Sequence, residues 1–310
     1  MSRWAVKILL LAAAGWAIWR FLGFLAAGRH PLATDALLAG GQFVDIDGIR
    51  VHYKNSGAGP PAVLIHSLLG SVDSWDALTP LLADIATTYA LDLPGSGLSD
   101  KPGDRNYEPA EHAAILIKFV ETVIGRSVRL VTTSAGAQVA LAAMVRRPDL
   151  FSGLATLAPA LEFTARSLTA RDAHRLATVI THALRSRRLV RLPLNFATGP
   201  DARITDEQLS ALMIPARTAG YRDALAISLV SRTSGRREQF SPSSDLPVLI
   251  ICGLDDRLAP TADAEWLRLQ SGGDLHLLPG CGHLPESEQP QDVAVLLRDF
   301  LSDDGSGESA

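Results

Sequence analysis

The stretch Val128-Arg129-Leu130-Val131-Thr132-Thr133-Ser134-Ala135-Gly136-Ala137 decides how the rest of the chain is read. Its first six residues are a near-continuous run of strand formers, the signature of a strand buried on both faces. From about Ala135 the pattern turns helical and stays so to residue 147. Ser134 stands at the junction. A serine on a sharp strand-to-helix turn projects its hydroxyl above the strand end, and its neighbours must be small because helix and strand pass close together. Gly136 meets that demand two positions after the serine; Thr132, two before it, brings a β-branched side chain. A serine at a helix start can also be a plain N-cap, so the turn alone does not decide.

The flanking sequence repeats the same alternation. Phe43-Val44-Asp45-Ile46 and Ile49-Arg50-Val51-His52-Tyr53 alternate with period two around Asp47-Gly48, which predicts a hairpin. Near-continuous strand runs follow at residues 62–66, 89–93, 153–157, 248–252 and 275–278. Helical patterns lie between them at about 74–84, 109–125, 135–147, 261–270 and 290–302. Strands apolar on both faces, alternating with helices, predict an α/β fold with a mostly parallel central sheet flanked by helices.

Residues 160–240 interrupt this rhythm with helical patterns and no strand run. They hold 13 Arg and 7 acidic residues, a net of +6, which leaves about −10 for the rest of the chain. This is an inserted helical subdomain. Its charge reads either as a solvated surface or as a face toward an anionic membrane. Residues 303–310 read as a disordered tail.

The start of the chain is different again. Ile8 to Trp19 is an apolar run of twelve, interrupted by Arg20 and resumed from Phe21 to Gly28. About twenty apolar residues suffice to cross a bilayer core of ~30 Å. One central arginine costs only ~3 kcal/mol on insertion scales. A cleaved signal peptide lacks a small-x-small site here. An in-plane amphipathic helix would need one polar face, and Arg20 lies about 220° around the helix from Lys7 at ~100° per residue. The favoured reading is a single N-terminal hydrophobic helix over residues 1–30 that anchors the protein to a membrane, on a side the flanking charges leave open.

Composition narrows the function classes. The chain has 310 residues, 47% of them hydrophobic and 20% charged, enough for a large core. A net charge of −4 argues against nucleic-acid binding. The two cysteines, Cys252 and Cys281, make no disulfide framework and no zinc spacing; they read as buried thiols, with a bridge between them as the minor reading. No metal or cofactor site is implied. The excess of 25 Arg over 4 Lys is associated with GC-rich bacterial genomes.

Two further strand ends carry reactive side chains. The run at 248–252 leads into Gly253-Leu254-Asp255-Asp256-Arg257, and the run at 275–278 into Pro279-Gly280-Cys281-Gly282-His283-Leu284-Pro285. Sites of open α/β sheets form beyond the carboxyl ends of strands. Leu64-Ile65-His66-Ser67-Leu68-Leu69-Gly70-Ser71 and Asp92-Leu93-Pro94-Gly95-Ser96-Gly97-Leu98-Ser99 end two others.

With these motifs in this order, the chain resembles the α/β-hydrolase-fold serine hydrolases, the group of esterases, lipases and carbon–carbon bond hydrolases, from about residue 42 to 302. The resemblance divides the chain into core residues 31–160 and 241–302 and a helical cap, residues 161–240. It implies Ser134 as nucleophile, His283 as general base and acid, and Asp256 as the orienting carboxylate, with Asp255 as the competing acid. The backbone N–H groups of Leu68 and Ala135 would hold the oxyanion. His283 is followed by Glu286 and Pro290 as in the family's histidine loop, and Ser67 stands where the family has glycine. His66 reads as structural, Cys252 as a buried strand residue, and His112, His174 and His182 as surface positions on helices.

The implied activity is cleavage of a carboxylic ester, lipophilic or monoacylglycerol-like, through an acyl-serine, with a small-molecule ester or lipid as partner. Carbon–carbon bond hydrolysis or cofactor-free peroxidation would use the same residues. A non-catalytic binding module is the competing class, motivated by Thr132 and Ser67. The oligomeric state is left open.

Overall fold

The computed structural model describes residues 40–161, 168–232, 246–259 and 261–302. Eight strands form one sheet: β1 (Gln42–Ile46), β2 (Ile49–Ser56), β3 (Pro61–Ile65), β4 (Thr87–Leu91), β5 (Val128–Thr133), β6 (Phe151–Leu157), β7 (Val248–Gly253) and β8 (Asp274–Leu278). Their order is β1-β2-β4-β3-β5-β6-β7-β8. From β4 to β8 every neighbour pair is parallel; β2 runs antiparallel to both β1 and β4. The alternating sequence around Asp47-Gly48 forms the expected hairpin, with Ile46 opposite Ile49.

Strands β3, β5 and β7 are buried along their whole length. Helices therefore cover both faces. On one face lie α1 (Pro109–Phe119), α2 (Gly136–Arg146) and α7 (Thr261–Ser271), which bury Leu116, Phe119, Val139, Leu141 and Leu267. On the other lie α9 (Pro290–Ser302) and the segment from Val72 to Leu82, which bury Trp75, Leu78, Leu297 and Leu301. At ~25 cal/mol per Å² of apolar area, these two layers are the main stabilising term.

The helix expected at 74–84 is instead two 3₁₀ turns, Val72–Trp75 and Thr79–Leu81. Pro80 has no N–H for a continuous α-helix and sits in the first turn of the second.

Between β6 and β7 the chain forms α3 (Ala170–Leu184), α4 (Arg187–Ala197), α5 (Asp206–Met213) and α6 (Tyr221–Arg232). Ala173, Leu184, Leu194, Met213, Tyr221 and Leu225 give this cap its own apolar centre. Leu68, Leu69 and Leu284, from loops at the carboxyl edge of the sheet, pack against it. After β8 the four-residue helix α8 (Pro285–Glu288) leads into α9.

The expected anchor at residues 1–30 and the tail at 303–310 lie outside the described residues. The expectation of a membrane-anchored protein is corrected: among the described residues no helix is long and apolar enough to cross a membrane. The physical reason is visible in the elements. The longest helix among the described residues, α3, has 15 residues, which is about 22 Å at ~1.5 Å per residue, short of a ~30 Å core. Among the described residues, the strands buried along their whole length have only five or six residues.

The turn from β5 into α2 fixes the edge on which everything else is built. A Cβ added at Gly136 would stand 2.7 Å from Ile65 O and 2.9 Å from His66 O, so the backbone of β3 leaves no room for a side chain there. Gly136→Ala is expected to lower stability by about 1–3 kcal/mol through overpacking, read as a lower denaturation midpoint by urea titration. Stability equal to wild type would mean that the turn can shift without cost.

Candidate active site

Ser134 adopts φ +51°, in the left-handed region that L residues avoid. Three backbone hydrogen bonds stabilise this conformation. Ser134 N–H donates to Leu157 O at 2.8 Å, and Ser134 O accepts from Ala137 N–H and Ala160 N–H, each at 3.2 Å. Ala158, at the end of the neighbouring strand, is also left-handed at φ +45° and donates to Ile251 O at 2.8 Å. Two adjacent strand ends therefore carry strained residues that the sheet holds in place.

The three side chains singled out in the sequence meet. Ser134 Oγ lies 3.0 Å from His283 Nε2, and His283 Nδ1 lies 2.9 Å from Asp256 Oδ2. Asp256 Oδ1 accepts from Leu258 N–H at 2.8 Å and Ala259 N–H at 3.1 Å. Because the carboxylate faces only donors, Nδ1 of His283 carries the hydrogen and Nε2 is left to accept from the serine hydroxyl. Asp256, not the competing Asp255, supplies the carboxylate at hydrogen-bonding distance from His283; the N–H of Asp255 donates to Cys281 O at 2.8 Å. Ser134 and His283 are 7% and 8% exposed, and the Asp256 side chain 4%, so the line of hydrogen bonds is shielded from water.

Both departures from the family pattern have a steric account. Thr132 is fully buried, and its Oγ1 donates to Oγ1 of Thr156, its partner in β6, at 2.9 Å. The hydroxyl that stands in place of glycine is thus satisfied. Ser67 is not among the residues with positive φ, so its Cβ adds no backbone strain. Its carbonyl accepts from Gly70 N–H at 3.0 Å and from His66 Nδ1 at 2.6 Å, while His66 Nε2 accepts from Leu93 N–H at 3.1 Å. His66 thereby braces the loop that carries Leu68.

Under that loop lies a buried pair. Asp92 Oδ2 is 2.7 Å from His52 Nδ1, with both side chains about 2% exposed or less. Asp92 also accepts from Val72 N–H at 2.8 Å and Leu98 N–H at 2.9 Å. Burial alone would raise its pKa; the His52 hydrogen bond, the nearby His66 and His52, and the Leu98 N–H outweigh it and hold the carboxyl below the ordinary range.

Other expectations need correction. His112 was expected on the surface; it is buried, and its Nε2 donates to Pro94 O at 3.1 Å. His174 is exposed, 3.8 Å from Asp223, and His182 is half-buried. Cys252 and Cys281 are free and buried, and burial pushes both thiols up, Cys252 to about 12.

Two carboxyls near His283 were not given a role by the sequence. Glu286 is 2% exposed and accepts from Thr133 Oγ1 at 3.4 Å. Burial raises its pKa to about 7; its own N–H, His283 and Thr133 pull it down, and Glu288 adds to the rise. Glu288 accepts from the N–H groups of Gly199, Gly282 and Leu284 at 2.7, 2.9 and 2.9 Å. An acidic residue in an apolar turn rich in glycine is the only trace of this arrangement in the sequence; nothing there says which N–H groups it meets.

Comparison with known proteins agrees with the fold. The alpha/beta hydrolase family is matched over residues 62–296. The chain is 29% identical over 296 residues to the dihydrolipoyllysine-residue acetyltransferase component of an acetoin cleaving system from Cupriavidus necator, covering 90% of this chain and 74% of that one. It is 25% identical over 270 residues to a 2-hydroxy-6-oxo-6-(2'-aminophenyl)hexa-2,4-dienoic acid hydrolase from Metapseudomonas resinovorans, covering 84% and 90%. Among solved structures, an alpha/beta hydrolase fold protein from Burkholderia ambifaria superposes with a TM-score of 0.71 at 23% identity, over 87% of this chain and 99% of that one. A sheet of this order, a strained serine at the β5–α2 turn and a match over residues 62–296 place the chain in the alpha/beta hydrolase family.

Proposed function

We propose that the chain is a serine hydrolase that cleaves carboxylic esters with an apolar acyl group. The observation that carries this reading is the unbroken line from Ser134 Oγ through His283 to Asp256, at 3.0 and 2.9 Å. His283 Nε2 takes the hydroxyl proton as Oγ attacks the ester carbonyl. The N–H groups of Leu68 and Ala135 receive the oxyanion. His283 then returns the proton to the leaving alcohol, and an acyl-Ser134 remains. Water activated by the same nitrogen releases the acid and restores the hydroxyl.

The apolar preference rests on Leu68, Leu69 and Leu284, which meet the apolar centre of the cap. A second reading is carbon–carbon bond hydrolysis on the same residues. It is favoured by relatives named for that reaction, the hydrolase from Metapseudomonas resinovorans and a 2-hydroxymuconate semialdehyde hydrolase from a Pseudomonas strain.

A panel of p-nitrophenyl esters from acetate to dodecanoate, run beside a 2-hydroxy-6-oxohexa-2,4-dienoate, separates the readings. The ester reading expects turnover that rises from acetate to medium chains. Turnover of the dienoate with inert esters would replace it by the second. A fluorophosphonate should label Ser134, and Ser134→Ala should abolish labelling and lower ester turnover by about 1,000-fold or more. Persistent labelling in Ser134→Ala would locate the nucleophile elsewhere.

The buried Glu286 gives the fold a pH dependence with a definite sign. The folded protein keeps its proton between 4.5 and about 7, where the unfolded chain has released it. Stability therefore falls as pH rises through that window, by about 2–4 kcal/mol at ~1.4 kcal/mol per pKa unit. Glu286→Gln should lose less stability than wild type between pH 5 and pH 8 in urea titrations. Equal losses would show that Glu286 does not carry the effect.

A further inference from the structure

The turn that holds His283 is tied to the cap by hydrogen bonds and close backbone contacts. His283 N–H donates to Ala197 O, at the end of α4, at 2.7 Å. Gln208 Nε2, in α5, donates to Ser287 O at 2.8 Å. Two glycines make this approach possible. A Cβ on Gly282 would lie 2.4 Å from Ala197 O, and one on Gly199 would lie 2.0 Å from Gly280 O. Two pieces of backbone thus lie directly against each other beside the imidazole.

Glu288 closes this junction. Its Oε2 accepts from Gly282 N–H at 2.9 Å and Gly199 N–H at 2.7 Å, and its Oε1 accepts from Leu284 N–H at 2.9 Å. Gly282 and Leu284 are the residues on either side of His283. One carboxyl therefore fixes the backbone before and after the base and fastens the cap loop to it. A side chain that only capped the turn would have no call to reach Gly199.

We propose that Glu288 is a positioning residue for His283, setting where the imidazole stands between Ser134 and Asp256 and making that position depend on how the cap is seated. The inference rests on the hydrolase reading of Ser134 and His283. Misplacing a reacting group by about 1 Å can cost on the order of 100-fold in rate, and the three contacts of Glu288 are all to main-chain N–H groups.

The test uses the full chain, wild type against Glu288→Ala and Glu288→Gln, with two readouts. The first is kcat and KM on p-nitrophenyl butyrate. Glu288→Ala is expected to lower kcat about 100-fold with KM within about twofold. Glu288→Gln, which keeps one acceptor oxygen, should fall between the two. The second is the low-field proton resonance of the His283–Asp256 hydrogen bond, assigned by its absence in His283→Ala. It should shift or vanish in Glu288→Ala and persist, displaced, in Glu288→Gln. Should Glu288→Ala fail to fold, Glu288→Gln carries both readouts. Folded variants with wild-type kcat and an unmoved resonance would overturn the proposal while leaving the hydrolase reading intact. A wild type inert to esters whose resonance still responds to Glu288 would sink the ester reading and support the positioning role.

Discussion

The left-handed backbone at Ser134 is the constraint on which the site depends. An ordinary φ would continue the strand and turn the hydroxyl into the sheet. At φ +51° the chain instead reverses within one residue and enters α2 directly. The conformation is unfavourable by itself, and the sheet around it holds it there. Leu157 O and the N–H groups of Ala137 and Ala160 satisfy the backbone of the turn, while Gly136 lets it lie against β3. The parallel order of β5, β6, β7 and β8 then brings the turns that carry Asp256 and His283 to the same edge. The strain is local, and its stabilisation is spread over four strands.

The polar groups beneath the site obey one rule, that buried charge is tolerated where donors surround it. Asp92 meets His52 and two backbone N–H groups, and it links the turn at 92–99 to the loop after β3. Ser96 Oγ reaches Gly70 O across the same gap at 2.5 Å. Glu286, with a long hydrogen bond from Thr133 and its own N–H, has weaker support against burial, and its carboxyl holds a proton far more readily. Two carboxyls, both nearly inaccessible to water, are shifted in opposite directions because their donors differ.

How far the sequence disclosed this can be judged residue by residue. The strands were legible because burial on both faces forces unbroken apolar runs, as in Ala62 to Ile65. The hairpin was legible because Asp47-Gly48 stands between alternating segments. Ser134, Asp256 and His283 each follow a strand run, but it was the resemblance of their turns to those of the family that singled them out and set Asp256 before Asp255. The missed features are those in which a side chain answers to backbone far away in the chain. Thr132 looked like a defect until Thr156 stood beside it. His112 looked exposed because helical periodicity does not say that Pro94 O lies opposite it. Glu288 meets Gly199, 89 residues earlier, and no spacing rule connects them. The apolar run near the start read as a membrane span from length and hydropathy alone; such a reading has no tertiary contacts to check it.

The crossing of Gly199 and Gly282 bears on how caps diversify among such enzymes. Insertions that reshape a substrate pocket are usually regarded as exchangeable modules, joined to a fixed catalytic body at two hinge points. Here the inserted segment also supplies a carbonyl to the amide of His283 and takes a carboxyl from the turn beyond it. A transplanted cap would need to bring a loop as slender as Ala197-Thr198-Gly199 to the same spot. Without it, on the proposed reading, the recombinant would gain a new pocket over an imidazole with slack in its mounting, and specificity and turnover would be inherited together.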